Sequence, residues 1–131
     1  MMASKNLLPR PTDAELEILN VLWRRGPSTV REVYEVLLES REIGYTTVLK
    51  LMQIMSEKGL VSRDESDRTH VYHAERAQDE TQRQLLSDLL DRAFNGSPTK
   101  LVMQALSSKK ASREELAEIR RMLDELEGGK K

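Results

Sequence analysis

At three places in this 131-residue chain a Thr or Ser followed three positions later by Glu stands at the head of an apolar run with helical period. The three are Thr12-Asp13-Ala14-Glu15, Thr29-Val30-Arg31-Glu32 and Ser112-Arg113-Glu114-Glu115. In such a capping box the hydroxyl accepts the Glu backbone N–H, and the Glu side chain accepts the N–H of the cap residue. The first box leads into Leu16, Leu19, Leu22 and Trp23, and Gly26-Pro27 ends that helix. The second leads into Val30, Val33, Leu37 and Leu38, which Glu39-Ser40-Arg41-Glu42 and then Gly44 interrupt. A third helix is expected from Thr46 to Lys58.

After Gly59 the period changes. Leu60-Val61-Ser62-Arg63 and Thr69-His70-Val71-Tyr72-His73 are short, β-branched or aromatic, and partly alternating. The polar run Asp64-Glu65-Ser66-Asp67-Arg68 between them reads as the turn of a hairpin. From Gln78 the helical pattern returns, with Leu85, Leu86, Leu89, Leu90, Ala93 and Phe94, until Asn95-Gly96 stops it. Ser97-Pro98 reads as an N-cap with proline at the first helical position, followed by Leu101, Val102, Met103 and Leu106. The third capping box opens a last helix with Leu116, Ile119, Leu123 and Leu126, and Gly128-Gly129-Lys130-Lys131 reads as a frayed tail. The expected division is residues 1–77 and 78–131.

Three short amphipathic helices can bury only part of their apolar surface against one another. A stripe of that size usually meets a partner, and the commonest partner is the same segment of a second copy. The alternative is that these helices fold back onto the first domain. The stripe assigned to self-association comprises Leu86, Leu89, Leu90, Phe94, Leu101, Val102, Leu106, Leu116, Ile119, Leu123 and Leu126.

Composition removes several function classes. Cysteine is absent, which excludes disulfides, thiolate metal sites and a thiol nucleophile. No apolar run approaches the roughly 18 residues a membrane span needs, and MMASKNLLPRPTD has no long apolar signal region. A cytoplasmic protein without direct membrane insertion is expected. There is no Gly-rich phosphate loop, paired metal-ligand motif or candidate triad. His70 and His73, three apart on an expected strand, point to opposite faces and cannot chelate one metal. An enzyme is therefore not expected, nor a catalytic residue, a metal or a cofactor.

Net charge is −1, so bulk charge argues for no polyanionic partner. From Arg41 to His73 five basic side chains (Arg41, Lys50, Lys58, Arg63, Arg68) face five acidic ones (Glu42, Glu57, Asp64, Glu65, Asp67). Any case for nucleic acid must rest on placement. At about 100° per residue, Val48, Leu51, Met52 and Met55 of the third helix share one arc. Thr46, Thr47, Lys50, Gln53 and Glu57 share the opposite one. Taken alone, a polar arc is a solvated face. This one, however, carries donors for phosphates, a Gln able to pair with adenine and a Thr methyl able to meet a thymine methyl. Ile54 lies within it, as a rim contact with the first two helices or an apolar contact to a base; the rim contact is the plainer reading.

Helix, helix, helix, hairpin is the element order of a winged helix-turn-helix, whose third helix enters the major groove. The fold class expected is mainly α: a winged helix-turn-helix with a β-hairpin wing, then a helical dimerisation region. In that arrangement Arg63 and Arg68 flank the wing turn, where Arg68 can reach a phosphate or the minor groove. Arg10 precedes the first helix and can meet the DNA backbone. Tyr45 either touches a phosphate or caps interhelical packing. Trp23, the sole tryptophan, reads as a core anchor. A winged helix used for protein contact alone is the alternative, since fold does not fix function.

DAELEILNVLW (Asp13–Trp23), TVREVYEVL (Thr29–Leu37), YTTVLKLMQIMSEKGLV (Tyr45–Val61), VYHA (Val71–Ala74) and FNGSPTKLVMQAL (Phe94–Leu106) together resemble the penicillinase-repressor family of winged-helix regulators (BlaI/MecI/CopY type). The resemblance is colinear over nearly the whole chain. It implies a homodimeric repressor whose two winged helices read a palindromic double-stranded DNA operator and whose C-terminal helices hold the dimer. It also implies a membrane sensor-peptidase as a partner that relieves repression by cleaving the C-terminal region. Three departures stand out. The β-lactam-responsive members are cut at an Asn-Phe bond, where this chain has Gln104-Ala105. The copper-responsive branch has a cysteine-rich tail, and this chain has no cysteine. Family members often carry Arg where Ile54 stands here. The resemblance therefore carries over no inducing signal.

Overall fold

The computed structural model describes residues 9–128. Its elements are α1 (Asp13–Arg25), α2 (Val30–Leu38), α3 (Tyr45–Lys58), β1 (Val61–Asp64), β2 (Val71–Ala74), α4 (Gln78–Ala93), α5 (Pro98–Ser108) and α6 (Arg113–Gly128). The backbone partitions into two units, one ending at Leu86 and one beginning at Ser87. That partition falls inside α4, beyond the 77/78 division read from the sequence.

The first unit is a winged helix. Both capping boxes of this unit are closed on each side: Glu15 N–H donates to Thr12 Oγ1 at 3.2 Å and Thr12 N–H to Glu15 Oε1 at 2.9 Å. Thr29 and Glu32 do the same at 3.1 and 2.9 Å. The Thr29 N–H holds the Glu32 carboxyl below its ordinary range. Helices α1, α2 and α3 pack on one another, and β1 and β2 cover the end of that cluster. Its core is Ile18, Leu19, Val21 and Leu22 of α1, Val30, Val33 and Leu37 of α2, and Val48, Met52 and Met55 of α3, closed by Leu60, Val61 and Tyr72.

Two helix stripes read from sequence are shifted by this packing. In α1, Ile18 and Val21 are buried while Leu16 and Trp23 are half-buried, because three elements, α2, α3 and β2, pack on α1. In α2, Leu38 is exposed, because the helix ends there and the chain leaves the core.

Helix α3 stops by local chemistry. Gly59 is left-handed at φ 85°, so Leu60 N–H reaches the Met55 carbonyl at 2.9 Å and Gly59 N–H the Ser56 carbonyl at 3.2 Å. This is a Schellman cap, and the buried Leu60 and Met55 are the apolar pair that accompanies it. The hairpin follows at once, in the register Val61↔Ala74, Ser62↔His73, Arg63↔Tyr72, Asp64↔Val71. β1 is offset by one residue from the run read from sequence, losing Leu60 and taking in Asp64, and β2 starts two residues later than its run and ends one later. Leu60 belongs to the cap, and His70 lies one residue before β2 instead of on it. Both His70 and His73 are exposed, and among the described residues no group of three or more His, Cys, Asp or Glu could hold a metal.

Three long-range contacts fix the hairpin and the chain after it. Ser28, fully buried between α1 and α2, exchanges both backbone hydrogen bonds with Tyr72, at 3.0 and 2.8 Å. Trp23 Nε1–H donates to the Arg76 carbonyl at 3.0 Å, so Trp23 is a core anchor as expected. Lys58 Nζ donates to both oxygens of Glu15, at 2.8 and 3.1 Å, tying the end of α3 to the start of α1.

In the second unit Ser97 Oγ accepts the Lys100 N–H at 3.2 Å with Pro98 at the first position of α5. The third capping box, Ser112 with Glu115, is closed at 3.0 Å on both sides. Asn95 and Gly96 both adopt positive φ, at 50° and 76°, which turns the chain out of α4. None of the described residues beyond Thr81 is buried, and no two of α4, α5 and α6 share a sizeable contact. Among the described residues no helix is long and apolar enough to cross a membrane.

The Glu15 carboxyl is only 2% exposed. Burial alone would raise its pKa, but the Lys58 ammonium and the Thr12 N–H outweigh burial and hold it below the ordinary 4.5. A carboxylate with a depressed folded pKa stabilises the fold above its unfolded value, and that contribution is lost as pH falls through the folded value. Lys58→Met should leave the carboxylate buried without its cation and cost about 2 kcal/mol at neutral pH. Urea unfolding should show wild-type stability falling steeply below about pH 4.5. The variant's acid limb should be flatter; equal limbs would refute the pairing.

Candidate nucleic-acid interface

The outward face of α3 is fixed by its inward face. Once Val48, Met52 and Met55 are buried, with Leu49 and Leu51 packed at the margin, Thr46, Thr47, Lys50, Gln53 and Glu57 are all exposed. Ile54, which sequence left between a rim contact and a base contact, is half-buried. The N-cap of α3 is Gly44, which offers no side chain, and the first turn contains no acidic residue. Its leading N–H groups are therefore left to solvent or to an approaching anion.

A groove of about 670 Å³ runs between α2, α3 and the wing. It brings together Tyr45 and Gln53 of α3, Arg63 of β1 and Arg68 of the wing turn. Half of the eight sequence-derived candidates thus share one concavity. Thr46, Thr47 and Lys50 are exposed on α3 but do not line the groove. Arg10 is exposed ahead of α1, and it does not line the groove either.

The two wing arginines differ. Arg63 is held: its Nε–H donates to Glu65 Oε2 at 2.6 Å. The hydrogen bond to Tyr72, its cross-strand partner, and the one to Glu65 push its guanidinium pKa up. Among the described residues no carboxylate pairs with Arg68, which sits on the exposed turn where Asp64 Oδ1 accepts the Ser66 N–H at 3.0 Å. Arg68 is thus the freer of the two to meet an anion, and Arg63 would first have to release Glu65.

Tyr45 is engaged by its neighbours. Its ring meets that of Tyr34 edge to face, with centroids 5.6 Å apart, and the Arg31 guanidinium lies 5.2 Å from its centroid. Of the two roles open for Tyr45, interhelical packing is the one the contacts display. Arg31 also lines the groove. The sequence reading missed it, because as part of the second capping box it looked like an ordinary solvated helix charge. The available signal was its i,i+3 spacing to Tyr34 on α2.

The apolar residues assigned to self-association are mostly uncovered. Leu86, Leu89, Val102, Leu106, Leu116, Leu123 and Leu126 are exposed, and Leu90, Phe94, Leu101 and Ile119 are half-buried. Met103 and Met122, which that assignment omitted, are among the most exposed, at 63% and 61%. On α6, Leu116, Ile119, Leu123 and Leu126 repeat at the alternating three-and-four spacing of a helix-pairing seam.

Comparison with known proteins accords with this architecture. The family model described as penicillinase repressor matches residues 11–125. A transcriptional regulator BlaI of Mycobacterium tuberculosis is 33% identical over 123 residues, 93% of this chain and 88% of that protein. A penicillinase repressor of Bacillus licheniformis is 25% identical over 95% of this chain and 97% of its own length. A methicillin resistance regulatory protein MecI of Mammaliicoccus sciuri is 19% identical over 86% and 92%.

The tyrosine contact can be tested without any ligand. A double-mutant cycle of Tyr34→Leu and Tyr45→Leu, read by urea unfolding, should give a coupling of about 1 kcal/mol, the usual worth of an edge-to-face pair. Strictly additive losses would mean the two rings do not support each other.

Proposed function

Because this chain belongs to the penicillinase repressor family, we propose that it is a DNA-binding transcriptional repressor that acts as a homodimer on a palindromic operator. Residues 1–77 form the DNA-binding module and 78–131 hold the dimer. The observation that carries the DNA half is the outward face of α3, where Thr46, Thr47, Lys50 and Gln53 are exposed together beside the wing groove. Lys50 and the wing arginines supply phosphate contacts. Gln53 and the threonines offer hydrogen bonds and methyl contacts to base edges in the major groove. Arg10 adds a backbone contact, and Arg63 joins once a phosphate displaces Glu65.

The observation that carries the dimer half is that no described residue beyond Thr81 is buried within one chain. Helices without a core of their own are stabilised only by covering the Leu, Val and Ile faces of α4, α5 and α6. A second copy does this with two-fold symmetry, and that symmetry is what a palindromic operator matches. Relief follows from the same dependence. A cut by a sensor-peptidase, or any signal that separates these helices, removes the bivalency on which tight binding rests.

Two predictions test these halves separately. Fluorescence anisotropy with a duplex from upstream of the chain's own gene should show tight binding that a shuffled duplex lacks, with affinity falling steeply as salt rises. Lys50→Ala should weaken it about tenfold without unfolding the protein, and Arg68→Ala should lower the salt slope by about one unit. Equal, weak binding to both duplexes would favour a protein-contact module. Leu123→Asp should give monomers in sedimentation and at least about a hundredfold loss of operator affinity. A persisting dimer would refute the α6 seam.

A further inference from the structure

Arg31, on the α2 wall of the groove, has no part in the contacts assigned above. Its guanidinium carbon lies 5.2 Å from the Tyr45 ring centroid and 6.0 Å from that of Tyr34. Tyr45 is the first residue of α3, so the cluster joins the middle of the helix-turn-helix to the start of the outward-facing helix. The only carboxylate paired with it among the described residues is Glu35, one turn further along at 3.9 Å, with both side chains more than 60% exposed. An exposed pair at that separation contributes little. Arg31 is therefore a cation placed by aromatic rings. A guanidinium beside a ring keeps its in-plane N–H donors available, and a pair of parallel N–H groups matches two oxygens of one phosphate.

The rest of the groove sharpens the case. Glu32, its other α2 carboxylate, is already used by the Thr29 N–H and by Arg25 at 3.3 Å. Arg63 is held by Glu65. Arg31 and Arg68 are then the cations on opposite walls, one on α2 and one on the wing, whose carboxylate pairing is weak or absent among the described residues.

We infer that Arg31 is a DNA-phosphate contact of α2, and that Tyr45 and Tyr34 are its positioning residues. Tyr45 then serves DNA binding through its ring face and not through its hydroxyl. This inference rests on the DNA-binding reading of the same surface.

The test uses the full-length protein and the same two duplexes, titrated across salt. Arg31→Ala should lower the salt slope by about one unit and weaken both duplexes alike, about fivefold at low salt, since a phosphate contact carries no sequence preference. Arg31→Lys keeps the charge and should restore the slope. Tyr45→Phe keeps the ring and should bind as wild type. Tyr45→Leu should lose a few-fold in affinity with the slope intact, and that loss should vanish in an Arg31→Ala background. Arg31 is exposed, so its variants should stay folded and lose at most a little stability with the ring contacts. An unchanged slope in Arg31→Ala, with Lys50→Ala still weakened, would overturn the Arg31 role and leave the DNA reading standing. Equal losses in Tyr45→Phe and Tyr45→Leu would place the contact on the hydroxyl and overturn the positioning role. A flat salt response in the wild type would remove both readings together. A lowered slope in Arg31→Ala with Lys50→Ala unaffected would retain Arg31 and remove the α3 face.

Discussion

The backbone of Ser28 exchanges both hydrogen bonds with that of Tyr72, and through this pair the wing belongs to the helical unit. A two-stranded hairpin is marginal by itself in water. Here it gains a third, one-residue edge from the short linker between α1 and α2. Tyr72 contributes a buried ring at the same point, and Ser28 has no room to move, because its hydroxyl donates to the Gly26 carbonyl at 2.8 Å and accepts from Arg25. The wing turn with Arg68 is thus anchored at the Arg63↔Tyr72 pair, one pair short of the turn-side end of the hairpin. Without that bridge the groove would keep its α2 and α3 walls, and the wing would be held by its packing on α1 and α3 alone.

The two units of the chain obey different rules. The first closes a core of thirteen buried apolar residues. The second has regular helices, a closed capping box and a proline-led N-terminus, yet none of its described residues is fully buried. Helical propensity and caps of this kind contribute about 1 kcal/mol each, too little to hold isolated helices of 11 and 16 residues in water. Their order must come from surface they cover elsewhere. In the proposed homodimer this links assembly to affinity: whatever loosens the C-terminal helices would reduce two-site binding to one-site binding without touching the DNA-facing side chains.

What sequence disclosed followed range. All three capping boxes, the helix stop at Gly59 and the Asn95-Gly96 turn depend on residues within a few positions of one another, and each is present. The outward face of α3 was legible because helical period fixes it once one apolar arc is known. Ile18 and Val21 were missed because a single stripe assumes one packing partner, and α1 has several. Leu38 was misplaced because period does not say where the chain leaves the core. Glu15 and Lys58 are 43 positions apart, and Trp23 and Arg76 are 53 apart. Each residue has a sufficient local explanation that conceals its distant partner. Arg31 belongs to the same class, since the ring that places it lies on the next helix.

A chain of net charge −1 is a poor polyanion binder by its sum, and placement is what reconciles the sum with the proposed role. Many acidic side chains here are consumed internally. Glu15 neutralises Lys58, Glu17 lies 2.8 Å from Arg41, Glu32 serves its cap and Arg25, and Asp64 accepts from Ser66. Each pairing removes an anion, and in most cases also a cation, from what an approaching duplex meets. Among the described residues, Lys50, Arg31 and Arg68 are the cations left with weak or no carboxylate partners on the α3 and groove side of the unit. Glu65 is the exception that proves informative. It occupies Arg63 on that same side, so every phosphate bound there must displace it. That cost falls on all DNA alike and is recovered only where base contacts hold the protein in place. A near-neutral surface with a few well-placed cations binds non-specific DNA weakly. In the proposed role it would therefore leave more of the discrimination to Thr46, Thr47 and Gln53 than a strongly basic surface would.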